Sequence, residues 1–137
     1  MNLNHIFIDT NVLIGSFVDK ANDVDCVKYL SSLNGKKLYI SSLSVAQLVS
    51  VFQKRKSNSE IKQIINSIIN KFIIVSFTDS EIQQILKLDN SDMEDAIQYV
   101  ISRKVKCGYF VTNNVKDYRS FNDIIVLSPK KHRAILR

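Results

Sequence analysis

Short apolar runs alternate along this chain with longer stretches of helical periodicity. Leu3 to Ile8 is apolar and rich in β-branched residues over a short span, which predicts a strand. Asp23 to Leu33 reads as a helix, with Asn34-Gly35 as a left-handed C-terminal cap. Leu38 to Ser41 predicts a second strand. Four later segments carry a hydroxyl followed three residues on by an acid or amide, the reciprocal pattern that caps a helix start: Ser44…Gln47, Ser57…Glu60, Thr78…Glu81 and Ser91…Glu94. The clearest period lies after Ser57, where Ile61, Ile64, Ile65, Ile68, Ile69 and Phe72 share one helical face. Phe72 to Phe77, Tyr109 to Thr112 and Ile124 to Leu127 predict further strands, the last closed by Pro129.

Strands separated by helices predict an α/β fold, a three-layer α/β/α sandwich around a mostly parallel sheet. Such sheets bind ligands at the carboxyl ends of their strands, where the strand order reverses. Asp9 follows the first strand directly and Asn113-Asn114 follow the strand YFVT, so both belong to that edge.

Composition narrows the class. With 137 residues, 45% of them hydrophobic, the chain supports one core, so residues 1–137 read as a single domain. No apolar run reaches the roughly 20 residues a membrane helix needs, and no secretory pattern opens the chain, so the expectation is a cytoplasmic protein with no membrane partner. Cys26 and Cys107 have neither metal-ligand nor CxxC spacing and read as reduced, packed thiols. A net charge of +6, from 19 Lys and Arg against 13 Asp and Glu, favours polyanionic partners such as nucleic acid.

The acids carry the chemistry. Asp92 and Asp95 stand three apart on the helix after Ser91, with Met93, Ala96, Ile97, Val100 and Ile101 on another face. If this helix packs beside the strand ends, Asp9, Asp92 and Asp95 converge. Three close carboxylates require a cation, and hard oxygen ligands select Mg²⁺ or Mn²⁺. Each residue also has a purely structural reading. Asp9-Thr10-Asn11 suits a helix N-cap, Asp92 a helix dipole, and Asn114 and Asp117 a turn. His5 lies inside a strand and His132 in a basic tail, neither with an acidic partner in sequence.

Four segments, IDTNVLI, SSLSVAQL, SDMEDAIQY and VTNNVKDY, occur in an order and spacing that resemble the PIN domain family, close to its VapC-type toxins. The resemblance implies a Mg²⁺- or Mn²⁺-dependent endoribonuclease directed at single-stranded RNA, a cognate antitoxin protein and a homodimer. By position Asp9 and Asp95 match metal-binding acids, Asn114 the last acid of the catalytic set and Asp92 an accessory acid. Thr112 matches a hydroxyl near the site, and Asn11 a polar residue that steadies Asp9.

The sequence departs from that pattern at two places. Gln47 stands where the family usually has Glu, and Asn114 replaces an acid, with Asp117 nearby to contribute. A second reading therefore stays open: a catalytically weakened PIN domain that binds RNA or a protein partner. A phospho-acceptor signalling domain is disfavoured, because adjacent acids after the first strand and a Lys ending the last strand are missing. No Gly-rich phosphate loop is present either.

Overall fold

The computed structural model describes residues 1–89 and 92–136. Five strands, β1 (Asn2–Ile8), β2 (Lys37–Ser41), β3 (Ile73–Val75), β4 (Cys107–Val111) and β5 (Ile125–Leu127), form one sheet in the order β3-β2-β1-β4-β5. Every pairing is parallel. The six α-helices described are α1 (Thr10–Ser16), α2 (Ala21–Ser31), α3 (Ser42–Phe52), α4 (Asn58–Lys71), α5 (Asp79–Ile85) and α6 (Met93–Lys104). Two 3₁₀ segments follow β4 and β5, Val115–Tyr118 and Pro129–Ala134.

The period-2 alternation of the strands divides the apolar side chains between two cores. Ile6, Ile8, Leu38, Ile40 and Val111 face α1 to α4, in a cluster with Leu13, Leu30, Leu48 and Ile68. Phe7, Tyr39, Val75 and Phe110 face the opposite side, in a cluster with Tyr99, Ile101, Tyr118 and Phe121. Helices therefore cover both faces, as predicted. The near-continuous apolar reading of the inner strands follows from this double burial.

Local signals explain most boundaries. Ser57 accepts from Glu60 N at 3.2 Å while Glu60 Oε1 accepts from Ser57 N at 3.1 Å, closing the box that starts α4. On that helix Ile61 and Ile68 are buried, but Ile69 is 59% exposed, so the apolar face is narrower than its periodicity predicts. Glu81 reaches back to Thr78 N at 2.8 Å and forms an ion pair with Lys104 at 3.0 Å. Ser91 lies outside the described residues, and α6 is capped by Asp92, whose Oδ1 accepts from Asp95 N at 3.1 Å. Met93, expected on the apolar face, is 50% exposed.

Two expectations are corrected. Ser44 does not cap α3: that helix begins after Ser41, whose Oγ accepts from Leu43 N at 3.0 Å, and Ser44 is buried inside the helix. The sequence pattern is the same whether the serine lies at the cap or one turn in, and the end of β2 decides it. Asn34-Gly35 does not cap α2, which ends at Ser31 with Ser32 in the right-handed region. Gly35 does adopt φ +79°, in the turn leading to β2.

The chain lays β1, β2 and β3 outward in one direction and then returns to place β4 and β5 on the other side of β1. The order reverses between β1 and β4, where Asp9 N donates to Val111 O at 2.9 Å. Asp9 and Thr112 thus leave adjacent strands side by side at the switch point, where α/β sheets place their ligands.

Candidate metal and phosphodiester site

Asp9 ends β1 and caps α1. Its Oδ1 accepts from Thr10 N at 2.8 Å, so the helix-cap reading and the site reading describe one carboxylate. Its Oδ2 accepts from Thr112 Oγ1 at 2.8 Å, Asn11 Nδ2 at 3.1 Å and Tyr118 OH at 3.4 Å. Only 5% exposed, Asp9 is pushed above the ordinary carboxylate range by burial, against the opposing pull of these hydrogen bonds.

Asp95 comes from the first turn of α6, on the opposite bank. Tyr118 OH donates to its Oδ1 at 3.0 Å, so one buried phenol lies between the two carboxylates. Burial, with added repulsion from Asp92, Asp117 and Asp9, pushes Asp95 up to about 6, although the phenol's hydrogen bond opposes the shift. Asp95 Oδ2 is buried and has no hydrogen-bond partner, and neither has Gln98 Oε1.

A cavity of about 440 Å³ opens over these groups. Asp9, Asn11, Gln47, Glu94, Asp95, Gln98 and Asn114 contribute to its wall, with Ile14, Leu43 and Val51 as apolar neighbours. Beneath it runs a neutral network. Gln98 Nε2 donates to Thr10 Oγ1 at 2.7 Å and to Ser44 Oγ at 3.1 Å, and Thr10 Oγ1 donates to Gln47 Oε1 at 2.8 Å. Thr10 and Ser44 hydroxyls meet at 2.6 Å. The misread serine is therefore part of the floor that ties α1, α3 and α6 together.

Among the predicted residues, the structure brings Asp9, Asp95, Asn11, Gln47 and Asn114 to this cavity. Thr112 is fully buried behind it, donating to Asp9 and accepting from Asn114 N at 3.0 Å. Asp117 lines a neighbouring cavity. Asp92 does not line the site, because its carboxylate is spent on the cap of α6. The expected three-acid convergence of Asp9, Asp92 and Asp95 is accordingly not formed. Among the described residues no three His, Cys, Asp or Glu side chains gather to hold a metal ion.

Four residues escaped the sequence reading. Glu94 and Gln98 stand i, i+4 on α6, so a helical face drawn from Glu94 rather than Asp92 finds both. Tyr118 gives no local signal, since its role depends on two distant carboxylates. Asp23 is 2% exposed and accepts from Asn113 Nδ2 at 3.2 Å, while Asn113 N donates to Asn11 Oδ1 at 3.2 Å. Burial raises its pKa as well. Its space exists because residue 15 is glycine, where a Cβ would stand 1.7 Å from Asp23 Oδ2.

The remaining candidates have no part in the site. His5 Nδ1 lies 2.7 Å from Val105 O and His132 Nδ1 2.7 Å from Pro129 O. Cys26 and Cys107 are buried free thiols, pushed up to about 12 and about 11 by burial. No helix of the described residues is long and apolar enough to cross a membrane.

Two carboxylates at the switch point of a five-stranded parallel sheet define this as an α/β protein with an all-oxygen acidic site. The sequence profile described as PIN domain matches residues 6–123, and the chain belongs to the PIN domain family. It is 28% identical over 142 residues to Ribonuclease VapC1 of Aquifex aeolicus, an alignment covering 96% of this chain and 94% of that one. In fold it is similar to VapBC-1 from nontypeable Haemophilus influenzae, with a TM-score of 0.71, 14% identity and coverage of 93% and 99% of the two chains. It is also similar to VapBC2 from Rickettsia felis bound to a promoter DNA fragment, with a TM-score of 0.69, 16% identity and coverage of 90% and 98%.

Proposed function

We propose that this chain is a divalent-metal-dependent endoribonuclease of the VapC type, which hydrolyses phosphodiester bonds of single-stranded RNA at the cavity of Asp9 and Asp95. The observation that carries this reading is the buried, partnerless Oδ2 of Asp95, a residue that lines one cavity with the buried carboxylate of Asp9 and is linked to it through the Tyr118 phenol. An acceptor left bare in a buried place costs about 1–3 kcal/mol, which a bound cation removes. The donor set contains no sulfur or imidazole and fits Mg²⁺ or Mn²⁺.

Asp9 and Asp95 would hold the ion, with Asn114 and the Gln98 carbonyl as neutral oxygens. Bound there, the ion supplies Lewis acidity and positive charge to the phosphodiester and to water. The protein's own residues fix geometry. Thr112, Asn11 and the Thr10 amide hold Asp9 in one orientation, and Tyr118 holds Oδ1 of Asp95 so that Oδ2 stays free. Among the described residues no His or Cys lines this cavity, and in this reading water is the nucleophile. The likeness to VapBC and other toxin-antitoxin complexes supports a cognate antitoxin partner; that this partner covers the acidic cavity, and that the chain forms a homodimer, belong to the same proposal.

One observation favours a second reading, a weakened domain that binds RNA or a partner without cutting. Gln47 brings no charge, and its carbonyl oxygen is already engaged by Thr10. Incubation of RNA that carries single-stranded segments with Mg²⁺ or Mn²⁺ separates the two, using the wild type, Asp9→Asn and Gln47→Glu. Cleavage by the wild type that vanishes in Asp9→Asn supports the nuclease; cleavage only after Gln47→Glu supports the weakened domain. No cleavage by any of the three refutes the metal assignment.

A further inference from the structure

A second cavity, of about 560 Å³, adjoins the acidic one and shares Asn114 with it. Lys116 and Asp117 reach it from the 3₁₀ segment after β4, Arg119 from the residue capping that segment, and Lys131 from the 3₁₀ segment after β5. The two cavities have opposite charge. Asp9, Glu94 and Asp95 line the first, whereas three cations against the single carboxylate of Asp117 line the second. The ion pairs found among the described residues are Arg103–Asp123 and Lys104–Glu81, so Lys116, Arg119 and Lys131 keep their charges unspent.

Abutting cavities of opposite sign suit a ligand that is anionic at regular intervals. A phosphodiester over the acidic cavity is repelled there until a cation arrives, so affinity for a polyanion must come from elsewhere. The neighbouring cations lie on the same strand-end edge, with Lys116 two residues beyond Asn114. Asn113 and Ser128 add neutral hydrogen-bonding groups to the same wall. A protein carboxylate would satisfy one or two of these cations, whereas a nucleic-acid strand engages both cavities with one repeating group.

We propose that the cavity of Lys116, Arg119 and Lys131 is a phosphate subsite, which seats a phosphodiester of the RNA strand neighbouring the one at Asp9 and Asp95. The subsite extends the ribonuclease reading to substrate binding, but its occupation requires neither a metal nor cleavage.

The test is fluorescence anisotropy of the whole chain with a labelled single-stranded oligoribonucleotide in EDTA, from about 50 to 200 mM salt. Each lost phosphate contact lowers the slope of log affinity against log salt by about 0.7 for a single strand, so Arg119→Gln/Lys131→Gln should lower it by about 1.4. Affinity at the lowest salt should fall about tenfold or more. Lys62→Gln/Lys71→Gln on α4 removes the same charge and should leave the slope within error of wild type. Equal losses in both double variants, no loss in the first, or no RNA binding in EDTA overturns the proposal. So does an acidic peptide that binds through Arg119 and Lys131 while their removal spares RNA binding, an outcome that assigns the cavity to a protein partner. If cleavage fails in the metal assay while this slope changes as stated, the nuclease reading falls and the subsite stands. The reverse combination removes the subsite alone.

Discussion

Replacing Tyr118 by Phe deletes one oxygen and leaves a ring that still packs on Phe110, 4.4 Å away between centroids, and on Phe121 at 6.0 Å. Because Tyr118 is fully buried, the change isolates its hydrogen bonds from its packing. The stronger one, at 3.0 Å to Asp95 Oδ1, has a charged acceptor once Asp95 ionises above about 6. Such a bond contributes about 1.5–3 kcal/mol, and its loss leaves Asp95 with both oxygens unpartnered in a buried setting. The saved desolvation of the phenol offsets part of this, so a net loss of about 1–3 kcal/mol is expected near pH 7.5.

For a domain of this size that loss corresponds to a fall in Tm of about 5–10 °C, measured by calorimetry or circular dichroism in EDTA. The expected loss shrinks at pH 5, because a protonated Asp95 is a neutral acceptor and the same bond then contributes about 1 kcal/mol. Tyr118 itself stays protonated throughout, since burial and the two carboxylates push its pKa upward. A Tm within about 1 °C of wild type at both pH values would falsify the assignment of Tyr118 as the group that reconciles the two acids.

Three further outcomes follow from the same geometry. Asp95 titrates near 6 when folded against 3.8 when unfolded, so the metal-free protein should lose stability as pH rises from about 4 to 6, on the order of 2–3 kcal/mol, and Asp95→Asn should flatten that decline; a wild-type curve that instead rises across this window contradicts the raised value. Gly15→Ala forces a methyl onto Asp23 and should cost about 1–3 kcal/mol, with Asp23→Ala recovering much of it in a double-mutant cycle; additive losses would remove the proposed crowding. Gln47→Glu adds a negative charge beside Asp9 and Asp95, so it should lower Tm in EDTA and enlarge the Tm rise produced by Mg²⁺, whereas an unchanged rise places residue 47 outside the ion's field.

The order of elements and the placement of Asp9, Asn114 and Asp95 on one edge were legible because they depend on local patterns: short β-branched runs, helical periods and a carboxylate at a strand end. What remained hidden depends on contacts distant in sequence. Tyr118 sits 109 residues from Asp9, and Asp23 gains its importance from Asn113, 90 residues away. The Ser44…Gln47 spacing misled for a related reason, since a hydroxyl three residues before an amide is equally frequent-looking in a helix interior. Asp92 and Glu94 exchanged their expected positions because the N-cap of α6 takes whichever acid stands at its start.

The neutral floor explains how the site tolerates Gln47. Thr10 has one hydroxyl proton and gives it to Gln47 Oε1, so its oxygen can only accept from Gln98 and from Ser44. Ser44 must then donate to Thr10 and accept from Gln98, which uses the Gln98 amide protons and leaves its carbonyl oxygen as the unpartnered acceptor. A glutamate at position 47 would accept the same Thr10 proton and leave the directions of this chain unchanged. The substitution therefore preserves the hydrogen-bonding pattern and alters only charge. With two buried carboxylates already raised by desolvation and reconciled by a single phenol, a third charge costs the metal-free fold stability and strengthens its hold on a cation. Gln47 shifts that balance toward a stable metal-free fold, and under the proposed function the strength of cation binding is the quantity on which activity depends.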